Sequence, residues 1–436
     1  NMRSYPDKKY GYSAVGILTL AQIFAFIDRQ IPSMLVEPIK QDFNLTDSQI
    51  ALLGGAAFSI FYAIMALPIG YAVDRYKRTR VLGIGIFLWS LMTALAGLAN
   101  SFGRLFGARI GVAVGEAVMA PTSVSLVSDY FPENQQGKPM GIITSGVYIG
   151  IGITLLGGGF LIDYLTELGG LNLPLIGYVK PWQATFMIVG VPGLFVALGA
   201  FLLTEPKRFD EKVEQGNMEG RQNVFLHINE HKKTLLPMFG GLIFMALIFY
   251  SFTFWAPTMM IRTYNISLTE AGFFLGIITI ISSITGTIFA GSVVDYLRNR
   301  NYRDAPVRAA MFAVILAFPP IVLLSFVNTE IAAWICIFIY LFFISSFAPL
   351  GLLAVSGVSR GNVKGQLAAI HAFLMMAFGL SLGPQLTAFF TDFVFTDTNK
   401  INWSISATGA LVLPISALFF KASLSKYKES SETLNT

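Results

Sequence analysis

Gly70-Tyr-Ala-Val-Asp74 and Gly291-Ser-Val-Val-Asp295 are two copies of one short pattern, separated by 221 residues. Each copy ends a long apolar run and leads into a segment rich in Arg and Lys. The same offset relates Asn44 to Asn265, Val73 to Val294 and Trp182 to Trp403. Identities at one fixed offset, in equivalent places of two apolar regions, indicate that about half of the chain is an internal duplicate of the other half.

The composition excludes a water-soluble protein. Of 436 residues, 54% are hydrophobic and 13% are charged, whereas soluble domains carry roughly 25% charged residues. The chain therefore has too few charges to cover a large aqueous surface, which excludes a soluble enzyme, a disordered protein and a disulfide scaffold. The single cysteine, Cys336, lies in an apolar run and has no second cysteine for an internal disulfide.

Twelve apolar segments are long enough to cross a bilayer, which takes about 20 residues of helix. None of them alternates polar and apolar residues as a barrel strand does. The predicted class is therefore an all-α membrane protein with twelve transmembrane helices. The predicted spans are 12–36, 48–73, 81–99, 103–127, 139–161, 182–203, 235–261, 269–294, 307–327, 331–356, 366–391 and 402–421.

The basic residues indicate how the spans are oriented, because Lys and Arg are retained in short cytoplasmic loops. With both termini inside, only five of the 30 basic residues fall in outer loops or at the outer end of a span, namely Lys40, Arg104, Lys180, Arg262 and Lys400. The net charge of +5 thus reflects topology, and we predict no nucleic-acid partner. The first span is too long for a signal-peptide core and carries two charges, so we expect no cleavable signal before it.

One long polar segment separates six spans from six. We predict an N-terminal six-helix bundle over 1–204, a cytoplasmic linker over 205–234 with partly helical character, and a C-terminal six-helix bundle with its tail over 235–436. Parallel repeats of this kind are related by an axis along the membrane normal and leave a cavity between the two bundles. This architecture is suited to alternating access.

These motifs identify a family resemblance that covers the whole chain. The run from Gly70 to Arg80 resembles the loop signature of the major facilitator superfamily, although Lys77 stands where the family usually has Gly. Arg109 with Gly115 resembles its fourth-span motif. Phe26-Ile-Asp28-Arg29 and Trp255-Ala-Pro257 resemble the spinster branch in particular. The resemblance implies the major facilitator fold, a cavity lined by the first and fourth spans, and a link to lysolipids and sphingosine phosphate.

Four ionisable side chains lie well inside the predicted spans: Asp28, Arg29, Arg109 and Glu116. Each costs roughly 2.5 to 3.5 kcal/mol at a helix centre, so each should be paired, hydrated, neutralised or functional. We predict that Glu116 and Asp28 couple transport to protons, and that Arg109 exchanges between Asp28 and an anionic substrate group. Arg29 points about 100° away from Asp28 and ties the first span to a neighbour or reaches the outer interface. The alternative is a static polar network that locks the helices together.

The equivalent places in the C-terminal half carry aromatic residues instead of charges. Asp28 and Arg29 correspond to Phe249 and Tyr250, which lie in one aromatic run with Trp255, and Tyr340 lies in the tenth span. We predict that these four aromatic residues and the two arginines, Arg29 and Arg109, bind an amphiphilic anion. The alternative for any single aromatic residue is packing between helices or contact with lipid.

The two copies of the duplicated pattern suggest a gate. Asp74 ends the second span, where the negative end of a helix dipole disfavours a carboxylate. Compensation could come from the start of the eleventh span near Gln366, or from Arg78 and Arg80. The resemblance implies a gating role for this loop. The predicted gating residues are Gly70, Asp74, Arg75, Arg78, Arg80 and Asp295.

Gly107, Gly111 and Gly115 recur at every fourth position of the fourth span. Small residues at this spacing form a smooth face on which another helix can pack closely. We therefore predict that these three glycines are structural.

The sequence predicts a secondary active transporter, coupled to protons, that moves an amphiphilic anion such as a lysolipid or a sphingosine-phosphate-like lipid. The alternatives are a transporter of the same fold for a small hydrophilic or drug-like substrate, or a membrane sensor that does not transport. We find no nucleophile motif and no phosphate-binding loop, and we predict no enzyme activity, no cofactor and no metal site. We expect a monomer in the plasma (inner) membrane.

Overall fold

The computed structural model describes residues 5–132, 135–174, 176–208, 224–359 and 361–433. Within these ranges, twelve helical segments are long and apolar enough to cross a membrane. Each of them overlaps one predicted span, so the predicted number, order and helical class of the spans are confirmed.

The chain divides into two compact units. The first contains Asn1–Glu214 together with Ser267–Gly276, and the second contains Gln215–Ile266 together with Ile277–Thr436. The predicted boundaries 1–204, 205–234 and 235–436 stay a prediction. Residues 209–223 of the predicted linker lie outside the described residues.

The first unit holds six spans and a short hairpin of Leu171–Leu173 (β1) and Gly177–Val179 (β2). Its helices are α1 (Lys8–Met34), α2 (Val36–Phe43), α3 (Asp47–Gly54), α4 (Ala56–Arg75), α5 (Arg78–Ala96), α6 (Phe102–Glu116), α7 (Met119–Tyr130), α8 (Gly137–Glu167) and α9 (Pro181–Phe201). Helix α1 packs on α8 and on α7, the second half of the fourth span, while α5 packs on α6 and α9 and α4 packs on α6. These contacts bring the first and fourth spans of the sequence into one bundle.

The second unit contains the other six spans, apart from the first turns of one helix. Its helices are α10 (Val224–Glu230), α11 (Lys232–Tyr264), α12 (Leu268–Asn299), α13 (Ala305–Leu323), α14 (Glu330–Ile344), α15 (Phe347–Gly357), α16 (Gly361–Leu374), α17 (Ser381–Phe389) and α18 (Ile401–Thr433). A π-helical turn, Met375–Leu380, joins α16 to α17. Helix α11 is the centre of this unit and packs on α17 and α18.

The start of α12 belongs to the first unit. Both the backbone N–H and the hydroxyl of Thr269 donate to Oδ2 of Asp163 near the end of α8, at 3.1 and 2.6 Å. The carboxylate therefore satisfies a backbone donor in the first turn of α12, where helical partners are missing.

The duplication is visible in local backbone geometry. Asn44 follows α2 with φ 53°, and Asn265 follows α11 with φ 61°, so both lie in the left-handed region. Asn is one of the few non-glycine residues that adopts this conformation readily at a helix end. The two asparagines were matched by sequence alone, and they end helices in the same way.

Among the described residues, three spans are interrupted by a short non-helical break. The breaks occur at Gly55 between α3 and α4, at residues 117 and 118 between α6 and α7, and at residues 345 and 346 between α14 and α15. A break leaves carbonyl groups without helical partners, and in a membrane neighbouring side chains must satisfy them. Two of the breaks lie beside the charged residues of the first unit.

Only part of the predicted glycine face is packed. A Cβ on Gly115 would come within 2.7 Å of the backbone of Gly85 and Trp89, and one on Gly111 would come within 2.5 Å of Met92. A Cβ on Gly107 would meet no heavy atom of the described residues within 4 Å. Close packing therefore accounts for Gly111 and Gly115, while the expectation for Gly107 is wrong.

Candidate functional site

The four charged residues predicted inside the spans lie together in the first unit. Asp28 and Arg29 are in the second half of α1, and Arg109 and Glu116 are on α6. The exposed fractions are 2% for Asp28, 1% for Arg109 and 0% for Glu116, and 15% for the Arg29 side chain. We call these four residues the charged cluster.

Glu116 is paired with Arg29. Nε of Arg29 donates to Oε2 of Glu116 at 2.6 Å, which joins α1 to the last residue of α6. The end of a helix carries partial negative charge, so it disfavours a carboxylate that has no cation beside it. Glu116 is therefore stabilised by a cation from another helix, and Arg29 ties the first span to a neighbour, one of its two predicted roles. The other oxygen, Oε1, is buried and has no hydrogen-bond partner in the described part of the chain.

Aromatic rings surround the Arg29 guanidinium. Its Cζ lies 4.6 Å from the ring centre of Phe26, 4.8 Å from that of Phe58 and 5.3 Å from that of Tyr62. A cation at these distances is stabilised by the negative faces of the rings, by about 0.5 to 2 kcal/mol for each pair. Phe58 and Tyr62 lie on α4, so three helices meet at this guanidinium.

The predicted ion pair between Arg109 and the Asp28 carboxylate does not form. Nη1 of Arg109 instead donates to the backbone oxygen of Asp28 at 3.0 Å, and Nε donates to the backbone oxygen of Leu53 at 3.4 Å. The residue four positions after Asp28 is Pro32, which has no N–H, so the Asp28 carbonyl lacks its helical donor. Leu53 lies in the last turn of α3, where carbonyls also lack helical donors. Arg109 therefore satisfies two carbonyls that the helices leave unpaired.

The Asp28 carboxylate is held by a neutral side chain. The hydroxyl of Thr93 on α5 donates to Oδ2 at 2.9 Å, while Oδ1 is buried without a partner in the described residues. Formally, the charged cluster holds two carboxylates and two guanidiniums, so it is neutral when all four are ionised. A buried carboxylate with incomplete hydrogen bonding is costly, and protonation or a new donor removes that cost. The cluster can therefore exchange a proton or accept an anion.

Among the predicted gating residues, Arg78 has the most contacts. It is 1% exposed and forms ion pairs with Asp129 at the end of α7 and, at 2.8 Å, with Glu205 after α9. It also donates to the hydroxyl and backbone oxygen of Ser125, both at 3.0 Å, and to the backbone oxygen of Pro206 at 3.1 Å. Arg78 thus ties the start of α5 to the ends of two other spans. Asp74, for which Arg78 was one of the predicted partners, is not among these contacts.

Glu205 completes this arrangement. Burial raises the pKa of its carboxyl, but hydrogen bonds from the Thr79 N–H and from Arg78 outweigh burial, so the net pKa is lowered. The Thr79 N–H, in the first turn of α5, donates to Oε2 of Glu205 at 2.9 Å. A carboxylate is well placed there because the positive end of the helix dipole stabilises it.

Asp74 itself is exposed near the end of α4. The carbonyl groups around it accept from a residue outside the predicted set: Nη2 of Arg208 donates to the backbone oxygens of Val73 and Tyr76, both at 2.6 Å, and Nη1 donates to that of Asp74. Arg208 therefore caps α4 as a basic residue at a helix end commonly does. The predicted contact of Asp74 with the eleventh span stays a prediction.

The remaining gating residues are at the surface of their units. Arg75 and Arg80 line a groove of about 650 Å³ whose other lining residues are largely apolar. A Cβ on Gly70 would have no heavy atom within 4 Å in the part of the chain that the structure describes, so no close contact there requires a glycine. Asp295, near the end of α12, is exposed like its duplicate Asp74. Their gating role stays a prediction.

The predicted aromatic residues of the second unit form two groups. Trp255 and Tyr340 are both 0% exposed, and each donates to a backbone oxygen, that of Pro384 at 2.9 Å and that of Ile248 at 3.0 Å. They are packed in the interior of the unit with their polar atoms satisfied, and their contact with substrate stays a prediction. Their burial fits the alternative of packing between helices.

Phe249 and Tyr250 form a cluster with Phe347, at the start of α15. The ring centres are 5.0 Å apart for Phe249 and Phe347, 5.9 Å for Tyr250 and Phe347, and 5.4 Å for Phe249 and Tyr250. Tyr250 is only half-buried. We call these three residues the aromatic cluster. Phe347 was not among the predicted site residues, although it directly follows the break in the tenth span.

The chain matches the profile of the Major Facilitator Superfamily over residues 18–384. It is 27% identical to an MFS-type efflux pump of Mycolicibacterium smegmatis, over 88% of this chain and 86% of that protein. It is 24% identical to the hexuronate transporter of Bacillus subtilis, over 86% of each chain. It is also 22% identical to the protein spinster of Drosophila melanogaster, over 74% of this chain and 49% of that one.

A solved structure of a bacterial homolog of the human lysosomal transporter Spinster has a similar fold. It is in an inward-facing, unoccupied conformation, and it aligns with a TM-score of 0.79 and 23% identity over 98% of both chains. A D-xylose-proton symporter aligns with a TM-score of 0.70 and 16% identity, over 96% of this chain and 99% of that one. The resemblance to the spinster branch that the motifs indicated is confirmed.

Proposed function

Because the chain belongs to the Major Facilitator Superfamily, a family of membrane transporters, we propose that it is a secondary active transporter that couples an organic anion to protons. The protein is an integral, multi-pass membrane protein with the fold of this family. The observation that carries the proposal is the buried ion pair of Arg29 with Glu116, at 2.6 Å, beside a second carboxylate at Asp28.

Arg29, more than Arg109, is suited to exchange partners. The Arg109 side chain holds two backbone carbonyls and is 1% exposed, so releasing it would leave both carbonyls unpaired. The Arg29 side chain is 15% exposed and contacts a carboxylate and aromatic rings. An anionic group that competes with Glu116 for Arg29 breaks one ion pair and forms another. We therefore assign substrate recognition to Arg29 and a bracing role to Arg109.

Proton coupling follows from charge balance. An anion that takes Arg29 leaves Glu116 as a buried carboxylate at a helix end, where a negative charge is unfavourable. Uptake of one proton by Glu116 removes that charge, and loss of the proton restores the pair with Arg29. Asp28 offers a second proton site because one of its oxygens has no partner among the described residues. Substrate and proton thus bind together, and alternating access of the two halves carries both across.

The substrate class that we propose is an amphiphilic anion, such as a lysolipid or a sphingosine-phosphate-like lipid. Support comes from the resemblance to the spinster branch and from the aromatic cluster of Phe249, Tyr250 and Phe347, which is suited to an acyl chain. A small hydrophilic acid is the second candidate, because the hexuronate transporter is among the relatives. A drug-like substrate is the third, since an efflux pump is also among them.

Counterflow in proteoliposomes separates these candidates. The panel consists of a lysophospholipid, sphingosine phosphate, hexuronate and a cationic dye. Vesicles are loaded with one unlabelled compound and then diluted into a trace amount of the same compound in labelled form. We expect counterflow of an anionic amphiphile, and its loss in Arg29→Ala but not in Arg104→Ala, a basic residue in the exposed first turn of α6. Counterflow of hexuronate alone would favour the hydrophilic substrate, and no counterflow of any compound would favour a sensor.

We further propose that both termini are cytoplasmic, that the protein resides in the plasma (inner) membrane and that it is a monomer. The basic residues of the predicted inner loops support the orientation. The single cysteine, Cys336, is free, so Cys336→Ser provides a cysteine-free background. A cysteine placed at Lys426 should then react with an impermeant maleimide only in inverted vesicles.

A further inference from the structure

The sequence His227-Ile-Asn-Glu230-His231 lies near the end of the predicted linker 205–234, directly before the first long helix of the second unit. Its His, Glu and His occupy positions i, i+3 and i+4, which share one face of a helix. One ligand atom from each of the three side chains lies within 4.8 Å of the others. The expectation that the chain has no metal site did not take this spacing into account.

The imidazole of His227 is oriented so that one of its ring nitrogens is available to bind a metal ion. His227 is 1% exposed, and its Nε2 lies 2.9 Å from the backbone oxygen of Val358, after α15. A carbonyl only accepts, so Nε2 carries the hydrogen and Nδ1 keeps its lone pair. Nδ1 is buried and has no hydrogen-bond partner in the described residues. Metal-binding histidines are typically oriented in this way, by a backbone carbonyl on the nitrogen that does not bind the metal.

From this geometry we propose that His227, Glu230 and His231 form a site for a divalent transition metal, with Zn²⁺ as the ion. Two imidazoles and one carboxylate favour Zn²⁺ over Mg²⁺ or Ca²⁺, which take oxygen ligands. Ligand atoms around tetrahedral zinc are about 3.4 Å apart, since Zn–N bonds are about 2.1 Å. Glu230 is exposed and His231 is half-buried, so rotation of these two side chains closes the site around the fixed His227.

The metal would join elements that are otherwise connected by few contacts. His227 and Glu230 are in α10, which has seven residues, and His231 precedes α11. Through His227, the site is also anchored to the carbonyl of Val358. Helices this short are not stable alone, so a bound ion would hold α10 against the second unit. The fourth position is left for water, as in other sites with three protein ligands.

The experiment is a Zn²⁺ titration of the full-length chain in detergent, followed by competition with a chromophoric chelator. The purification tag must contain no histidine. We expect one high-affinity equivalent per chain, and a loss of affinity of at least ~10-fold in His231→Ala and in Glu230→Gln, because losing even an indirect metal partner costs that much. The matched control is Asn229→Ala, an exposed residue of the same helix between the ligands, which should keep wild-type affinity.

A second readout distinguishes this site from adventitious binding. Zn²⁺ should slow hydrogen–deuterium exchange of the backbone amides of 224–234 in the wild type and in Asn229→Ala, but not in His231→Ala. Equal zinc affinity in His231→Ala and the wild type would place the ion elsewhere and overturn the proposal. Equal protection by millimolar Mg²⁺ would overturn the assignment to a transition metal. Neither measurement depends on transport, so the result is independent of the proposed function.

Discussion

Removal of the Arg78 side chain should destabilise the first unit more than any substitution of a neighbouring basic residue. Arg78 pairs with Asp129 and Glu205, whose side chains are 12% and 21% exposed. Breaking a buried ion pair from one side costs about 3 to 5 kcal/mol because the partner charge is left uncompensated. Since both partners retain some exposure, we take the lower end, about 3 kcal/mol, for Arg78→Ala. That is roughly a 100-fold change in the unfolding equilibrium.

The assay is unfolding in mixed micelles of dodecyl maltoside and increasing SDS, followed by tryptophan fluorescence. Arg78→Lys keeps the charge but loses the planar fork that reaches four partners, so it should cost about 1 to 2 kcal/mol. The matched control is Arg80→Ala, an exposed base two residues away, which should cost less than about 0.5 kcal/mol. A loss below 1 kcal/mol in Arg78→Ala, or equal losses in Arg78→Ala and Arg80→Ala, would refute the reasoning.

Three further predictions concern packing, bracing and pH. Gly115→Ala should destabilise the protein by at least ~1 kcal/mol in the same assay, because its Cβ would meet backbone atoms at 2.7 Å, whereas Gly107→Ala should be neutral; equal effects would contradict this. Arg109→Ala should cost about 2 to 4 kcal/mol by leaving two buried carbonyls unpaired. Adding Pro32→Ala to Arg109→Ala should recover part of this loss, since residue 32 then donates to the Asp28 carbonyl, and additive losses would argue against the brace. The lowered pKa of Glu205 predicts stability that is fully present above its unfolded value of about 4.3 and is lost as pH falls through the native value. In Glu205→Gln, the unfolding free energy should depend less on pH between pH 6 and 3.5 than in the wild type. An unchanged slope of the unfolding free energy against pH would contradict the assignment.

The spans and the charged residues inside them could be predicted from sequence because both depend on local composition. Twenty apolar residues in a row, or a charge among them, need no knowledge of neighbours. The duplication also matched Asn44 with Asn265, and both residues end a helix in the left-handed conformation. These features follow from the chain itself and from the solvent that surrounds it.

The pairing inside the charged cluster could not be predicted, because it depends on how helices rotate against one another. The predicted pair was Arg109 with Asp28, but the rotation of the helices brings Arg29 to Glu116 instead. One available signal was missed: Pro32 lies four residues after Asp28, so a free carbonyl was to be expected there. The ring contacts of Phe58 and Tyr62 with Arg29 gave no such signal, since a Phe facing a cation looks the same in sequence as a Phe facing lipid.

The aromatic residues of the second unit show the same limit. Trp255 and Tyr340 are buried with satisfied polar atoms, whereas Tyr250 is half-buried and contacts the buried rings of Phe249 and Phe347. All of them lie in apolar runs. When every face of a helix is apolar, the periodicity of the sequence does not distinguish a face that lines a cavity from a face that packs on another helix. Breaks are more informative, because Glu116 and Phe347 each lie beside one.

The central claim is that Glu116 carries the proton that accompanies the substrate. The most direct test measures substrate-driven proton uptake and counterflow in the same lightly buffered proteoliposomes. We predict that Glu116→Gln keeps counterflow but loses the pH change, while Glu330→Gln, an exposed carboxyl in the first turn of α14, keeps both. If Glu116→Gln abolishes both signals, Asp28→Asn serves as the second variant for loss of the pH change alone. A full pH change on substrate addition in Glu116→Gln would contradict the account.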